Sequence, residues 1–396
     1  MAQLVFWCAV LLLLHTYFFY PLILIALDSV RQLADNIRFL HQGGDRRREE
    51  EGFCPPVSLV VAAYNEEGCI AEKLKNSVTI DYPPTRFQVI IGSDGSTDAT
   101  DTIVRAFRDR CVWLSKSSRS GKASVLNRCI PAASGEVIVL SDANTSIDPS
   151  AVKKLVRHFA DPQVGAVCGR LMLYNRSKKD YEESAYWKYE SLIKFYEGKH
   201  GVVMGANGGL YAIRSRLFAP LHSSTIVDDF VIAMRIIEQG YQVIYDAQAV
   251  AYEETTEDYQ REFRRRVRIA AGGFQSLSLH PRLWWPFDGF RSFAFWSHKL
   301  LRWCAPALMV LALAANLFLL RGGLYRATLA AQLLFYGMAA AGRAQIFRGA
   351  LRRASSVAYY FVALNIAIIV GFWRFLRGQQ QAAWERTPRV AAPRST

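Results

Sequence analysis

Long uncharged apolar runs lie at both ends of the chain, and shorter alternating segments lie between them. The N-terminal run extends from Leu4 to Leu27 without a charged side chain. As a helix it would reach about 36 Å, more than the roughly 30 Å hydrocarbon core of a bilayer. It lacks the basic start and the small-residue cleavage site of a secretory signal peptide. The pattern therefore predicts an uncleaved transmembrane anchor over residues 1–30.

Three further apolar runs lie near the C-terminus, each between arginines. Trp303–Leu320 and Ala354–Trp373 are long enough to span a bilayer, whereas residues 327–342 are short, and a buried core helix is the alternative for them. The aromatic-rich segment before these runs is typical of the membrane–water interface, with a soluble core segment as the alternative. The pattern predicts an interfacial segment (281–298), a C-terminal transmembrane region (299–376) and a basic tail (377–396).

The formal net charge of +14 suggests an orientation for these segments. Many Lys and Arg residues adjoin the apolar runs, which favours a membrane protein over the alternative of a nucleic-acid-binding surface. A basic linker over residues 31–54 follows the anchor, and the positive-inside rule makes this linker cytoplasmic. We therefore expect a multi-pass cell-membrane protein with its N-terminus outside, its middle region in the cytoplasm and no nucleic-acid partner.

The number of spans conflicts with the charge of the tail. Four spans from an outside N-terminus would place the tail outside, whereas Arg386, Arg389 and Arg394 favour the inside. One C-terminal run is therefore expected to be interfacial or re-entrant, and residues 327–342 are the weakest span.

The seven cysteines are scattered along the chain and form no Cys-x-x-Cys pair. This spacing argues against a zinc site and against a disulfide framework. Free thiols in a reducing compartment are the expected state.

Residues 55–280 alternate short apolar runs with segments of helical spacing. Val57–Ala63 is a continuous, largely β-branched run, and Gln88–Gly92 and Glu136–Leu140 are shorter ones. Strands that alternate with helices predict an α/β domain with a parallel sheet. In such sheets, ligands bind beyond the carboxyl ends of the strands.

An acidic residue follows each of these three predicted strands: Glu66, Asp94 and Asp142. One such residue is usually a helix cap, as expected for Asp98, but three in one region predict a ligand site. Carboxylates can hold the base and ribose of a nucleotide, and oxygen ligands suit Mg²⁺ or Mn²⁺. A metal there would neutralise a leaving diphosphate.

The motifs AAYNEE, SDGSTD and SDANTSIDP resemble the successive motifs of family 2 glycosyltransferases with the GT-A fold. The resemblance covers about residues 57–268 and the flanking membrane segments. It looks closest to the bacterial cellulose, hyaluronan and poly-N-acetylglucosamine synthases. It implies a GT-A domain, of the α/β class, over residues 55–280 and flanked by transmembrane helices.

The resemblance also implies roles for single residues. It implies that Tyr64, Glu66 and Asp94 contact the donor nucleoside. Asp142 and Asn144 stand where the family has its metal-binding Asp-x-Asp motif, with Asn in place of the second Asp. Lys122 resembles a lysine that lies near the donor nucleotide, and a solvated surface lysine is the alternative.

Two further stretches resemble the acceptor side of the family's site. Gly205, Ala206, Asn207 and Gly208 resemble an acceptor-lining loop, with a tight turn as the alternative; no Gly-Lys-Ser/Thr follows, so this is not a P-loop. The pair Asp228-Asp229 opens a helical pattern and could complement the helix dipole. By resemblance, Asp229 is the general base that deprotonates the acceptor hydroxyl, with Asp228 beside it.

A basic run from Glu262 to Arg268 stands where the polysaccharide synthases have a Gln-x-x-Arg-Trp motif. Phe263 and Val267 replace its Gln and Trp, and Arg266 would bind the donor diphosphate. A solvated helix face is the alternative. Residues Trp384–Arg389 resemble a tail motif of the same relatives.

Together these features predict a membrane-bound inverting glycosyltransferase with a cytoplasmic catalytic domain. The expected donor is a nucleotide-diphosphate sugar, a UDP-sugar first, and the expected acceptor is a membrane-proximal glycan or lipid-linked glycan of surface or exopolysaccharide synthesis. Membrane lipid and polysaccharide-assembly proteins are the further expected partners. The alternatives are transfer to polyprenyl phosphate, which needs no general base, and a non-catalytic membrane protein that binds nucleotide sugars.

Overall fold

The computed structural model describes residues 1–42, 52–116, 118–174, 185–254, 259–280 and 285–379. The chain divides into two compact units, which we name the helical unit (Met1–Ile23 and Glu257–Gln380) and the sheet unit (Leu24–Thr256). The tail motif Trp384–Arg389 and most of the acidic and basic part of the predicted linker lie outside the described residues.

One mixed sheet organises the sheet unit. Its strands are β1 (Val57–Ala63), β2 (Phe87–Asp94), β3 (Val112–Lys116), β4 (Val137–Asp142), β5 (Thr145–Ile147), β6 (Val164–Tyr174), β7 (Tyr211–Arg214) and β8 (Gln242–Glu254). They lie in the order β3-β2-β1-β4-β7-β6-β8-β5. Strands β3, β2, β1 and β4 are parallel neighbours, whereas β7 is antiparallel to both β4 and β6.

The central strand β1 shows why the sheet forms and where its site lies. All seven of its residues are buried, as expected for a parallel strand that is covered on both faces. Ala62 pairs with Gly92 of β2 on one side and with Asp142 of β4 on the other. The carboxyl ends of β1, β2 and β4 therefore meet at one edge of the sheet.

The α-helices follow one another along the chain between and after these strands. They are α1 (Ala2–Leu14), α2 (Tyr20–Gln42), α3 (Ile70–Val78), α4 (Thr100–Arg105), α5 (Lys122–Cys129), α6 (Ala151–Val156), α7 (Ala185–Lys199), α8 (Asp228–Glu238), α9 (Tyr259–Leu279), α10 (Gly289–Phe295), α11 (Leu301–Leu317), α12 (Gly323–Arg343) and α13 (Gly349–Leu376).

Two helices of the sheet unit position the site. The buried residues of α3 are Ile70, Lys73, Leu74 and Ser77, which follow the i, i+3, i+4, i+7 spacing of one helix face. Helix α5 lies directly on β2 at Gly92, where an added Cβ would stand only 2.3 Å from a methyl carbon of α5. A glycine at this point of β2 is therefore required by the close approach of the helix.

The N-terminal apolar helix continues from α1 through a π-helical segment, His15–Phe19, into α2. Pro21 lacks a backbone N–H, and its ring crowds the carbonyl of the residue four positions earlier. That residue is Tyr17, inside the π-helical segment, which is one of the ways in which a helix accommodates such an interruption. The helix then extends to Gln42, so the first part of the predicted linker is helical.

Three helices in the described part of the chain are long and apolar enough to cross a membrane: Ala2–Phe39, Gly289–Leu317 and Gly349–Leu376. Residues 327–342, predicted as the weakest of four runs, lie in α12, which is not among the three. The second half of the predicted interfacial segment belongs to the helix Gly289–Leu317. Trp285 and Phe287, just before that helix, are exposed.

Candidate active site

The three predicted ligand loops are neighbours because the strands that carry them are paired. Tyr64 and Glu66 follow β1, Asp94 ends β2, and Asp142 ends β4. Asn65 ties the first loop to the second, a role that the sequence analysis missed. Its amide oxygen accepts a hydrogen bond of 2.8 Å from the Thr97 N–H, and its own N–H donates to the Ser96 hydroxyl. Its φ of 52° is left-handed, a conformation that Asn tolerates better than most residues.

The first loop is also held from its other side. The backbone N–H of Glu66 donates to the hydroxyl of Thr100 at 2.8 Å. The Glu66 carboxylate accepts a hydrogen bond from the Cys69 thiol. A guanidinium, that of Arg119, lies 4.1 Å from the centre of the Tyr64 ring. The sequence analysis did not predict Arg119 beside the nucleoside position, because a single Arg in a loop belongs to no recognisable motif.

Asp94 anchors the loop that carries Lys122. Its side chain is fully buried, and its two carboxylate oxygens accept hydrogen bonds of 2.8 Å from the N–H groups of Ser120 and Gly121. Gly121 has a φ of 88°, which favours glycine, and α5 begins at the next residue. The structure thus shows that Asp94 holds this loop in place. The predicted contact of Asp94 with a nucleoside stays a prediction.

Lys122 bridges carboxylates from two distant parts of the sequence. Its ammonium nitrogen lies 2.8 Å from Asp142 Oδ1 and 3.2 Å from Asp228 Oδ2. Burial by itself would lower the pKa of Lys122, but the charges of Asp142, Asp228 and Asp229 outweigh burial and raise it. With 22% of its side chain exposed, Lys122 is a paired cation at the site and not a solvated surface lysine.

Asp228 and Asp229 form the first turn of α8, as the helical pattern predicts. Asp229 Oδ1 accepts a hydrogen bond of 2.8 Å from the Phe230 N–H. Burial raises the pKa of Asp229, as does the neighbouring Asp228 carboxylate, whereas Lys122 and Lys194 oppose the rise. A carboxylate with a raised pKa is a better proton acceptor near neutral pH, which suits a general base.

Gly208 lies against both Asp142 and Asp229. A Cβ at this position would stand 3.3 Å from Asp229 Oδ2 and 3.6 Å from Asp142 Oδ2. The carboxylates that end β4 and begin α8 therefore approach the same point of the glycine-rich loop. A glycine is favoured here because the loop passes so close to both acids.

Burial and hydrogen bonds to other parts of the chain hold the rest of the glycine-rich loop in place. Gly205 has a left-handed φ of 103°, and Ala206 is buried. The Asn207 amide oxygen accepts a hydrogen bond from Lys194 of α7, and its NH₂ donates to the Gly169 carbonyl at 2.8 Å. Asn207 thus anchors the loop, and the predicted acceptor contacts of this loop stay predictions.

Asn144 lies two residues beyond Asp142, in the turn before β5. Its NH₂ group donates to Glu253 Oε1 of β8 at 3.1 Å. Among the residues that the structure describes, no group of three His, Cys, Asp or Glu side chains is placed to hold a metal ion. Asp142 and Asn144 can offer one carboxylate and one amide oxygen, which are the ligand types of a hard cation.

Arg266 is the predicted site residue that lies in the helical unit. In α9 its guanidinium donates to Glu262 Oε1 at 2.6 Å and to the Tyr360 hydroxyl at 3.1 Å. It is therefore part of a hydrogen-bonded contact between α9 and α13. Its predicted contact with a donor diphosphate stays a prediction.

Comparison with known proteins assigns this arrangement to a family. Residues 58–216 match the family described as glycosyl transferase family 2. They form a family 2 glycosyltransferase domain. The match spans β1 to β7, with Tyr64, Asp94, Lys122, Asp142 and Gly208 inside it, and the predicted resemblance is confirmed.

Individual relatives agree with the family. The chain is 27% identical over 261 residues to a protein named probable glycosyltransferase YdaM from Bacillus subtilis (strain 168), covering 59% of this chain and 61% of that protein. It is 25% identical over 229 residues to the poly-β-1,6-N-acetyl-D-glucosamine synthase of Staphylococcus aureus (strain MSSA476), covering 56% and 55%. The chain thus spans about three fifths or less of the length of these curated relatives.

The fold also has a solved counterpart. The structure described as the mannosyltransferase PcManGT from Pyrobaculum calidifontis in complex with GDP-Man and Mn²⁺ superimposes with a TM-score of 0.67 at 22% identity, covering 96% of this chain and all of that one. The predicted GT-A fold is confirmed, whereas its sheet is mixed and not parallel throughout, because β7 runs antiparallel to β4 and β6.

Proposed function

We propose that this chain is a membrane-bound, inverting glycosyltransferase that uses a nucleoside-diphosphate sugar and a divalent cation. The observation that carries the proposal is the convergence of Asp142 and Asp229 on Gly208, with Lys122 between Asp142 and Asp228. A single displacement needs a base that accepts the proton of the attacking hydroxyl and a cation that neutralises the leaving diphosphate. Asp229 can be the base, and Asp142 can bind the cation.

In the proposed reaction, Asp229 accepts the proton of the acceptor hydroxyl. The acceptor oxygen forms a bond to the anomeric carbon of the donor while the bond from that carbon to the diphosphate oxygen breaks. One displacement inverts the anomeric centre, and the nucleoside diphosphate carries away the bonding electron pair. Lys122 adds positive charge on the side of Asp142, where the diphosphate would leave.

The side chains present fit Mg²⁺ or Mn²⁺. The Asp142 carboxylate and the Asn144 amide oxygen would hold the cation, because both are oxygen ligands on one short turn after β4. When bound, such a cation neutralises charge on the leaving diphosphate. The Mn²⁺ named for PcManGT, which shares this fold, supports a divalent metal here.

The donor and acceptor are proposed as classes. The poly-β-1,6-N-acetyl-D-glucosamine synthases among the relatives support a glycan or lipid-linked acceptor of polysaccharide synthesis, and a UDP-sugar is the first donor that we propose. The presence of Asp229 favours a hydroxyl acceptor over polyprenyl phosphate, since a phosphate oxygen attacks without a general base. PcManGT is described with GDP-Man, so both UDP- and GDP-sugars belong in the first screen.

The count of candidate spans supports a cytoplasmic catalytic domain. Three spans from an outside N-terminus return the C-terminal tail to the inside, where its arginines belong by the positive-inside rule. The conflict between four runs and a basic tail is thereby removed. Cysteine-accessibility labelling of the tail in intact cells tests this orientation.

The direct test is a screen of the purified full chain in detergent. We expect release of nucleoside diphosphate from one UDP- or GDP-sugar, dependent on Mn²⁺ or Mg²⁺ and on a hydroxyl acceptor, with an inverted anomeric configuration in the product. Oligosaccharides and polyprenyl phosphate are compared as acceptors. Donor binding without turnover on any acceptor would support the non-catalytic alternative, and a sugar phosphate product would support the polyprenyl-phosphate alternative.

A separate variant tests the proposed role of Asp142 as a metal ligand. Asp142→Ala removes the carboxylate that ends β4, and we expect the gain in donor affinity from Mn²⁺ to fall by more than about tenfold. Calorimetric titration of donor with Mn²⁺ and with chelator measures this gain. Asp109→Ala, which changes an exposed carboxylate away from the site, is the control. An unchanged gain in Asp142→Ala would contradict the assignment.

A further inference from the structure

A lysine lies on the buried face of α3, where the helix pattern calls for an apolar residue. Lys73 is 2% exposed, between the apolar neighbours Ile70 and Leu74 of the same face. Lysine is almost never fully buried unless its ammonium group is bonded. Its position therefore requires an account beyond packing.

The two hydrogen bonds of Lys73 enclose the Asp142–Asn144 turn. The Lys73 ammonium donates to the Ser141 hydroxyl and to the Thr145 carbonyl, both at 2.7 Å. Ser141 immediately precedes Asp142, and Thr145 immediately follows Asn144. One buried side chain therefore holds both ends of the turn that carries the proposed cation ligands.

A second link reaches the glycine-rich loop. The Ser141 hydroxyl, which accepts from Lys73, donates to the Gly209 carbonyl at 2.7 Å. Gly209 follows Gly208, the residue that lies against Asp142 and Asp229. A Cβ at Gly209 would also stand 3.2 Å from the Thr145 hydroxyl, so the loop and the turn are packed together.

We propose that Lys73 is a positioning residue that fixes the Asp142–Asn144 turn against the Gly208–Gly209 loop and so sets the geometry for cation and diphosphate binding. The inference rests on the proposed function and concerns the same site. It assigns Lys73 no contact with substrate. Its effect passes through Ser141 and Thr145.

The chemistry of the amine suits this task. Burial lowers the pKa of Lys73 to about 7, while Asp142 and Cys69 oppose the shift. The ammonium form has three N–H donors and the neutral amine has two, so both hydrogen bonds can persist in either state. A group that only filled space would be apolar at this position, since burying an amine is unfavourable.

The test compares Lys73→Met with Lys75→Met. Methionine keeps the length and the helix propensity but has no donor, and Lys75 lies exposed on the same helix. UDP and GDP are titrated into each full-length protein with Mn²⁺ and with chelator. In Lys73→Met we expect the Mn²⁺-dependent gain in affinity to fall by about 10- to 100-fold. Affinity in chelator is expected to stay as in wild type, and Lys75→Met to match wild type in both titrations.

The two titrations separate positioning from general stability. An equal loss with Mn²⁺ and with chelator would mean that Lys73 only supports the fold, and an unchanged gain would mean that it has no role at the site. Either result overturns the inference while leaving the proposed function intact. If wild type binds neither UDP nor GDP more tightly with Mn²⁺, the proposed function fails and the inference fails with it.

Ser141→Ala covers the case in which Lys73→Met does not fold. This variant keeps the Lys73 bond to the Thr145 carbonyl but removes the link to Gly209. We expect the same selective loss of the Mn²⁺-dependent gain, by a smaller factor than in Lys73→Met. A Mn²⁺-dependent gain equal to that of wild type would overturn the inference.

Discussion

Lys122 and Lys73 lie near the same carboxylate, Asp142, and their surroundings act on them in opposite directions. Lys122 faces the carboxylates of Asp142, Asp228 and Asp229, and its pKa is raised. Lys73 bonds to a hydroxyl and a carbonyl, and its pKa is lowered to about 7. Burial penalises the charged form in both surroundings, so the charge of the bonded partners decides the direction.

The difference separates a group that takes part in the site from one that supports it. Lys122 is partly exposed, and its partners are the acids that a cation or an acceptor would approach. Lys73 is enclosed, and its partners are neutral groups of the chain on either side of Asp142. We therefore expect changes at the acids and at Lys122 to affect the reaction, and changes at Lys73 to affect geometry and stability.

The largest effect is expected from a change at Asp229, one of the carboxylates that Lys122 faces. Asp229→Asn keeps the shape of the side chain but removes the proton acceptor, so turnover should fall by about 10²- to 10⁴-fold. Donor binding should persist, because asparagine keeps the size of the side chain and the proposed donor contacts are made by other residues. Turnover and calorimetric donor affinity are measured in parallel. Turnover close to that of wild type would contradict the assignment of Asp229.

A smaller effect is expected from Lys122→Met. Lys122 opposes the rise in the pKa of Asp229, so its removal should raise that pKa further. A general base works when deprotonated, and the acidic limb of the profile of kcat/KM against pH should therefore move to higher pH. The profiles of wild type and Lys75→Met provide the reference. An unmoved limb, or one moved to lower pH, would contradict the electrostatic coupling.

The smallest effect concerns stability at Lys73. The folded pKa of about 7 lies below the value of 10.5 for free lysine, so between these pH values the unfolded chain binds more protons. Wild-type stability should therefore gain up to about 1.4 kcal/mol per pH unit from this group as pH rises above 7. Lys73→Met lacks that contribution. Thermal unfolding at pH 7 and pH 9 measures the difference, and identical pH dependence in both proteins would contradict it.

The strands and loops of the site could be predicted from the local sequence pattern. The run Val57–Ala63 is apolar apart from Ser58, and the structure places β1 over the same residues, because a parallel strand buried on both faces needs no alternation. Acidic residues after three such strands had to gather at one sheet edge, since parallel strands share the direction in which they end. The start of α8 at Asp228-Asp229 could also be predicted, because a helix start depends on local spacing.

The partners of these groups could not be predicted, because they depend on tertiary packing. The contact of Lys122 with Asp228 and the bond from Asn144 to Glu253 join residues far apart in sequence, and the bond from Lys194 to Asn207 joins a helix to a loop. Local spacing predicts none of these pairs. Lys73 belongs to no motif that the sequence analysis singled out, and the packing of α3 on the sheet places its ammonium group against Ser141 and Thr145. Gly208 was predicted to lie in an acceptor-lining loop, with a tight turn as the alternative, and its close approach to two carboxylates follows from the packing of α8 and β4. The local pattern of apolar and polar residues determines which helices and strands form, whereas the partners of a charged side chain depend on how those helices and strands pack.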